Sequence, residues 1–283
     1  MISQETLQIA ANSIIPAFVL LVQRYGSNAT MIYNDIQSVD DGNYYGRFFA
    51  SGNPLIPFQS ADTSIAAMTA QAANLREILA EAITTLNSGV ATGDLGVDLL
   101  TNVQAVLLAL ANCAALADDQ INILGAMATF ATPYIITGTD ALGMEIQAAQ
   151  TAIASVIRVA ALYQLALAIF TYSPTSQNDA SNLRLSVGEL FDNEMVTQAT
   201  NFCDTYYNDL NNVRLAVIQY LAQTGNALAP IGTFTFGTSL PSLVLAYQLY
   251  QDSTMNDDLV ARNVPIDPGF MQLTVECLLP STE

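Results

Sequence analysis

Residues 240–279 read LPSLVLAYQLYQDSTMNDDLVARNVPIDPGFMQLTVECLL, and this is the least generic stretch of the chain. Leu243, Ala246, Tyr247 and Tyr250 recur at helical spacing. Pro241 follows Thr238–Ser239 at a first helical position, where its missing N–H costs nothing. Asp257 and Asp258 load the start of a second short helix, where negative charge suits the dipole. Pro265 and Pro268 stop it. Arg262 suits the negative end of that helix, and Asn263 suits its left-handed closing position. From Gln272 the chain alternates. Leu273, Val275, Cys277 and Leu279 fall on one face, and Thr274, Glu276 and Leu278 on the other, which predicts a terminal strand. An unpaired strand is an adhesive edge. Leu273–Leu279 is therefore expected to join a sheet, its own or a neighbour's.

Upstream, helical patterns dominate. Glu5–Tyr25 predicts a first helix, kinked or divided at Pro16 and ended by Gly26–Ser27–Asn28. Ser27–Pro57 has no clear helical period. Its glycines and prolines punctuate the aromatic cluster Tyr44, Tyr45, Phe48 and Phe49, which predicts a long interaction loop. Asp62 is the expected N-cap of a helix to about Leu86, with Ile65, Met68, Ala72, Leu75, Leu79 and Ile83 as its apolar stripe and Gly89 and Gly93 as breakers. Further helices are expected over Leu95–Ala115, Asp118–Phe130, Asp140–Phe170, Gln177–Phe191 and Glu194–Ala222. Gly225–Gly237, with Phe234 and Phe236 alternating, predicts a short strand. The expected fold is mainly α: a multi-helix array of roughly eight helices with a long N-terminal loop and a short C-terminal strand. Three regions are expected: residues 1–60, a first helix and interaction loop; 61–138, a helical region; and 139–283, a helical domain ending in the turn and strand.

The chain has 283 residues, 52% of them hydrophobic and only 11% charged. It carries 25 acidic residues against 7 basic ones, for a net charge of −18. All basic residues are arginines, and there is no Lys, His or Trp. Such a chain should repel nucleic acid and anionic lipid. The absence of His removes His-dependent triads and metal sites; the absence of Lys removes Schiff bases and the P-loop cation. The pairs Asp40–Asp41, Asp118–Asp119 and Asp257–Asp258 are neighbours in sequence. Such neighbours do not face each other on a helix, so they read as helix-start charges rather than catalytic dyads. No enzyme activity, cofactor or metal is expected. Cys113, Cys203 and Cys277 lie far apart and read as small buried hydrophobes of a reducing compartment. No signal peptide is evident. Ile153–Phe170 is the strongest candidate membrane span, but Arg158 and Gln164 interrupt it. Ile14–Val22 is too short for one, so buried helices are expected instead. Arg158 predicts a buried ion pair, with Glu145 or an Asp of another helix as partner.

The residues of the C-terminal half also carry a likeness. Arg158–Val159–Ala160–Ala161, Tyr172–Ser173, Asp179–Ala180, Leu183–Arg184, Leu210, Arg214 and Ala216–Val217 lead into Leu240–Tyr247 and Leu249–Tyr250. Asp258–Leu259–Val260–Ala261–Arg262–Asn263, Pro268–Gly269–Phe270 and the final strand complete the pattern. This pattern resembles the C-terminal half of Mu-type phage tail and baseplate proteins known as DNA circularisation proteins. Gln251 and Asp267 depart from it, standing where that family usually has Gly and His. The resemblance implies a virion structural protein of a contractile tail, assembled in the host cytoplasm. Its place would be beside the tail hub, the tape-measure end and the baseplate proteins, as a threefold or sixfold homo-oligomer. Leu259, Arg262, Asn263, Pro268, Gly269 and Phe270, with Tyr44, Tyr45, Phe48 and Phe49, are the expected contact residues. Around a tail channel, the acidic surface would repel passing DNA. A DNA-handling protein, as that family's name suggests, is the second reading, and a membrane or pore protein the third. Direct nucleic-acid binding and membrane association are not expected.

Overall fold

The computed structural model describes residues 4–40, 65–93, 95–114, 117–131, 140–200 and 204–279. The chain is mainly α, with nine α-helices and two short strands among the described residues. The helices are α1 (Gln4–Asp40), α2 (Ile65–Thr92), α3 (Val97–Asn112), α4 (Ala117–Ala128), α5 (Ala141–Thr171), α6 (Gln177–Thr200) and α7 (Asp204–Asn226). Then follow β1 (Ile231–Thr235), α8 (Ser242–Tyr250), a 3-10 turn (Ser253–Met255), α9 (Asn256–Asn263) and β2 (Thr274–Leu278). The chain forms two compact units. One comprises Met1–Ile32, Ala70–Tyr172 and Arg184–Tyr220; the other comprises Tyr33–Thr69, Ser173–Leu183 and Leu221–Glu283. The expected boundary near Gly138 lies outside the described residues, as do Asp62 and Cys203.

The first unit is built around α5. Asp140 caps that helix, its carboxylate accepting from the Gly143 N–H at 3.2 Å. This satisfies one of the amides that a helix start leaves without a partner. Tyr172 is extended, and Ser173–Pro174 then prevents continuation. Along α5, Ile153, Ile157, Leu162, Leu165 and Ile169 are buried, and the helix packs on α3 and α4. Each such side chain contributes roughly 1.5–3 kcal/mol when fully removed from water. Buried Ala154, Ala160 and Ala161 keep the helix surface low between them. Phe18 of α1 meets Phe130 edge-on, with centroids 5.8 Å apart.

Two sequence expectations are corrected here. The first helix does not end at Gly26–Ser27–Asn28; α1 runs on to Asp40, so the N-terminal loop is shorter than expected on that side. Gly26 is a packing glycine, because a Cβ there would lie 2.6 Å from Leu79 Cδ2. Gly89 likewise does not break α2, since a Cβ there would meet Asn102 of α3 at 2.9 Å. Glycine can end a helix or let a second one approach, and spacing does not separate the two. The helix does end at Gly93, whose φ is +83°. Pro16 does not divide α1. Both Asn12 and Pro16 are exposed, so the bond that proline removes is lost where water can replace it.

The break expected between Phe191 and Glu194 is displaced, because α6 continues to Thr200. Nothing between those residues stops a helix. Asp192 and Asn193 simply form its solvent face, and Asp192 pairs with Arg214 of α7 at 2.8 Å. Within the described residues, two helical stretches, Gln4–Gly26 and Ala141–Thr171, are long and apolar enough to cross a membrane. In α5, 56% of the apolar stretch is buried inside the protein, and its arginine is paired with Glu194.

The second unit contains the only strands among the described residues. β1 and β2 pair antiparallel, with Ile231 opposite Leu278 and Thr235 opposite Thr274. Leu245, Ala246, Leu259, Met271, Val275 and Cys277 form its core. The start of α6 belongs here. Ser176 accepts from the Asp179 N–H at 3.1 Å, and Asp179 accepts from the Thr175 N–H at 2.9 Å. These reciprocal bonds resemble a capping box. Gly225 of α7 lies against Ala180 of α6, where a Cβ would be 2.7 Å away.

Candidate functional site

The terminal segment folds as a tied-down unit. Pro241 is the N-cap of α8 rather than its first residue, and its carbonyl accepts from Val244 and Leu245. The Ser242 N–H donates to the Pro268 carbonyl at 2.8 Å, and Met271 N–H donates to the Leu240 carbonyl at 3.0 Å. Ser239 Oγ donates to the Met271 carbonyl at 2.7 Å. The Asp267–Phe270 turn is thus laced to the start of α8. Within the turn, Asp267 Oδ1 accepts from the Gly269 N–H at 2.7 Å, and its carbonyl accepts from Phe270 N–H at 2.9 Å. Proline at the second turn position and an Asx bond from the first are standard turn chemistry.

Asn263 does more than close a helix. The left-handed position belongs to Val264, with φ 43° and ψ 55°, and not to Asn263. A β-branched residue there costs about 1–2 kcal/mol and must be held by its surroundings. Asn263 does the holding. Its Nδ2 donates to the Glu276 carbonyl at 2.7 Å and the Leu259 carbonyl at 2.9 Å. Its Oδ1 accepts from the Glu276 N–H at 2.7 Å. Gln272 Nε2 donates to the Asn263 carbonyl at 2.8 Å.

The side-chain amide therefore behaves as one peptide unit of a missing strand. It pairs with both backbone groups of Glu276 on the side of β2 that faces away from β1. Two residues further on, the Leu278 N–H donates to the Tyr250 hydroxyl at 3.0 Å. Burial raises the Tyr250 phenol above its ordinary pKa, which keeps it a neutral hydroxyl. The outer edge of β2 is thus occupied from within. Asn263→Ala removes three hydrogen bonds, partly exposed, at roughly 0.5–1 kcal/mol each. The expected loss is about 2 kcal/mol, confined to the second unit and read by faster amide exchange at Val275–Cys277.

The contact residues expected from sequence take different places. Leu259 is 0% exposed and belongs to the core. Arg262 turns back on Asp258, four residues earlier, with Nη2 to Oδ1 at 2.7 Å. Pro268 and Gly269 are half-buried and form the turn just described. Phe270 points outward at 71% exposure. Tyr44, Tyr45, Phe48 and Phe49 lie outside the described residues. Sequence reading missed Ile266, which is 96% exposed, and Leu243, Val244 and Tyr247 on the exposed side of α8. Their signal was present: apolar residues in a Pro-punctuated turn, and a short helix apolar all round.

The ion pair expected for Arg158 exists with a different partner. Arg158 Nε lies 2.6 Å from Glu194 Oε2, and Nη1 donates to the Phe130 carbonyl at 3.3 Å. Glu145 is not the partner: it stands on the same helix thirteen residues before Arg158, about 20 Å along the axis. Glu194 Oε1 also accepts from Ser155 Oγ and from Gln198 Nε2, both at 2.7 Å. Beside this network is a concavity of about 690 Å³, with Leu100, Met144, Ala152, Val156 and Val159 in its wall. Its polar side chains include Ser155 and Gln198, which are already bonded to each other and to Glu194. No group of three or more potential metal-ligating side chains occurs among the described residues. Burial raises the Cys113 and Cys277 thiols, so neither is a thiolate at neutral pH.

The arrangement offers a braced turn carrying exposed Phe270, with exposed Ile266 just before it. Compared with known proteins, the chain matches no family model and no curated protein.

Proposed function

We propose that the chain is a non-enzymatic structural component of a contractile phage tail. In this reading it is an adaptor beside the baseplate hub, linking the hub, the tape-measure end and the surrounding baseplate proteins as a homo-oligomer. One observation carries the reading. Two large apolar side chains stand in water, Phe270 on a turn fixed by backbone bonds to α8 and Ile266 just before it. Rigid presentation of apolar anchors lowers the ordering cost of binding, which suits an assembly contact. The resemblance of the same segment to Mu-type tail proteins gives the assembly its kind. The net charge of −18 disfavours the DNA-handling alternative.

Deleting the residues after Asn263 would remove buried Val275 and Cys277 and so unfold the unit. Substitution at the surface separates contact from folding. Ile266→Asp with Phe270→Asp leaves the helical signal and melting point of the isolated chain unchanged. Introduced into the phage, it yields particles that lack the protein, or tails arrested before the sheath forms, with infectivity reduced at least about a hundredfold, as loss of about 3 kcal/mol of hot-spot contacts implies. Normal, infectious particles carrying the substituted chain would overturn the proposal.

A further inference from the structure

The two edges of the small sheet are treated differently. The register places Phe234 opposite Val275 and Gly232 opposite Cys277. The flanking bonds, Phe236 N–H to the Leu273 carbonyl and Leu279 N–H to the Pro230 carbonyl, show which residues of β1 face β2. They are 230, 232, 234 and 236. In an antiparallel pair, the alternate residues direct both backbone groups to the far side. Ile231, Thr233 and Thr235 therefore present theirs away from β2. Ile231 N–H is taken by Asn178 Oδ1 at 3.0 Å. Among the described residues, nothing bonds to the outward N–H and carbonyl of Thr233 or Thr235. Asn263 and Tyr250 cap the β2 edge at Glu276 and Leu278, whereas the β1 edge is covered at its start, at Ala229 and Ile231, and is open at Thr233 and Thr235.

Natural sheets blunt an open edge with charge, proline or a bulge. This edge has none at its centre: Thr233, Phe234 and Thr235 are all exposed. No charged side chain occurs between Arg214 and Asp252, in a chain with 25 acidic residues. An acidic chain meets its own copy with least repulsion along such a stretch.

We infer that β1 is a self-association edge, which pairs antiparallel with β1 of a second copy about a twofold axis through Phe234. The edge is complementary to itself in that register. Thr233 of each chain exchanges two N–H···O bonds with Thr235 of the other, so the outward N–H and carbonyl of both threonines are used. Ile231, whose N–H is held by Asn178 Oδ1, takes no bond in the shared ladder. The ring of Phe234, 46% exposed in the single chain, then lies across from Phe234 of the other copy. The aromatic ring gains an apolar neighbour, and a continuous four-stranded sheet replaces two open pairs. Isologous closure of this kind stops at two copies and does not propagate a fibre. The inference does not require the tail reading.

The test uses the full chain, by light-scattering size measurement and amide exchange at two protein concentrations. A dimer is expected in the concentrated sample. There the Thr233 and Thr235 amides exchange at least about tenfold more slowly than in the dilute one. The Phe234 amide, bonded within its own sheet, shows no such dependence. Thr233→Pro removes an outward donor and leaves the β1–β2 donors in place. It should give a monomer whose helical signal and Phe234 protection are those of the parent. A parent chain that is monomeric at both concentrations, with Thr233 and Thr235 exchanging freely, overturns the inference. So does a dimer that survives Thr233→Pro with its Phe234 amide still protected.

Discussion

Arg158→Met lowers the stability of the first unit by about 3–5 kcal/mol, the cost of leaving one member of a buried pair without the other. Glu194 is 3% exposed, so its charge would lose its ionic partner where water cannot replace it. Ser155 and Gln198 still donate to Oε1, which places the loss nearer the lower figure. Arg158 also holds the Phe130 carbonyl just past the end of α4. The substitution therefore loosens α4 and α6 from α5 together, and exchange should accelerate in all three. The check is urea denaturation followed by circular dichroism, with the midpoint falling and the slope unchanged. The companion Arg158→Met/Glu194→Gln should recover most of the loss. A neutral amide keeps the contacts to Ser155 and Gln198 without a charge to bury. If the double variant is no more stable than the single one, the network is not the source of the effect.

Leu259→Ala is expected to cost about 3 kcal/mol, within the range for buried leucines whose cavity only partly collapses. The sequence placed Leu259 among the contact residues, but its side chain packs in the core with Leu245, Met271 and Val275. The two roles give opposite results. A core residue lowers the melting point of the isolated chain, and a contact residue leaves it unchanged while weakening assembly. The effect should be confined to the second unit, with amides of β1, β2, α8 and α9 losing protection and those of α3 and α5 keeping theirs. An unchanged melting point would return Leu259 to the surface.

Much of the architecture could be read from residue types with a single local meaning. Asp140 could only cap α5, and Ser173–Pro174 could only follow it. The alternation from Gln272 onward could only be a strand. Gly26 and Gly89 misled because a glycine in contact with another helix has the same signature as one that stops a helix. The α6 end was misplaced because polar Asp192 and Asn193 mark a solvent face as well as a break. At the candidate site, the helix–turn–strand order was legible, while the partners were not. That Asn263 would reach Glu276, or Arg158 reach Glu194, depends on how elements cross, which no local pattern encodes. Val264 in a left-handed conformation was invisible for the same reason: a tertiary clamp, not the residue's own preference, puts it there.

The separation of the two strands has a consequence for synthesis. Thr235 and its partner Thr274 are 39 positions apart, with α8 and α9 between them. At about 5–20 residues per second, β1 leaves the ribosome roughly 2–8 seconds before β2 exists to cover it. For that interval both of its edges are open, in a stretch without charge. A nascent chain on a crowded polysome would then be able to pair with its neighbour before its own second strand arrives. Slower translation through residues 236–273 should therefore increase aggregation of newly made chains, even though the finished protein is no less stable.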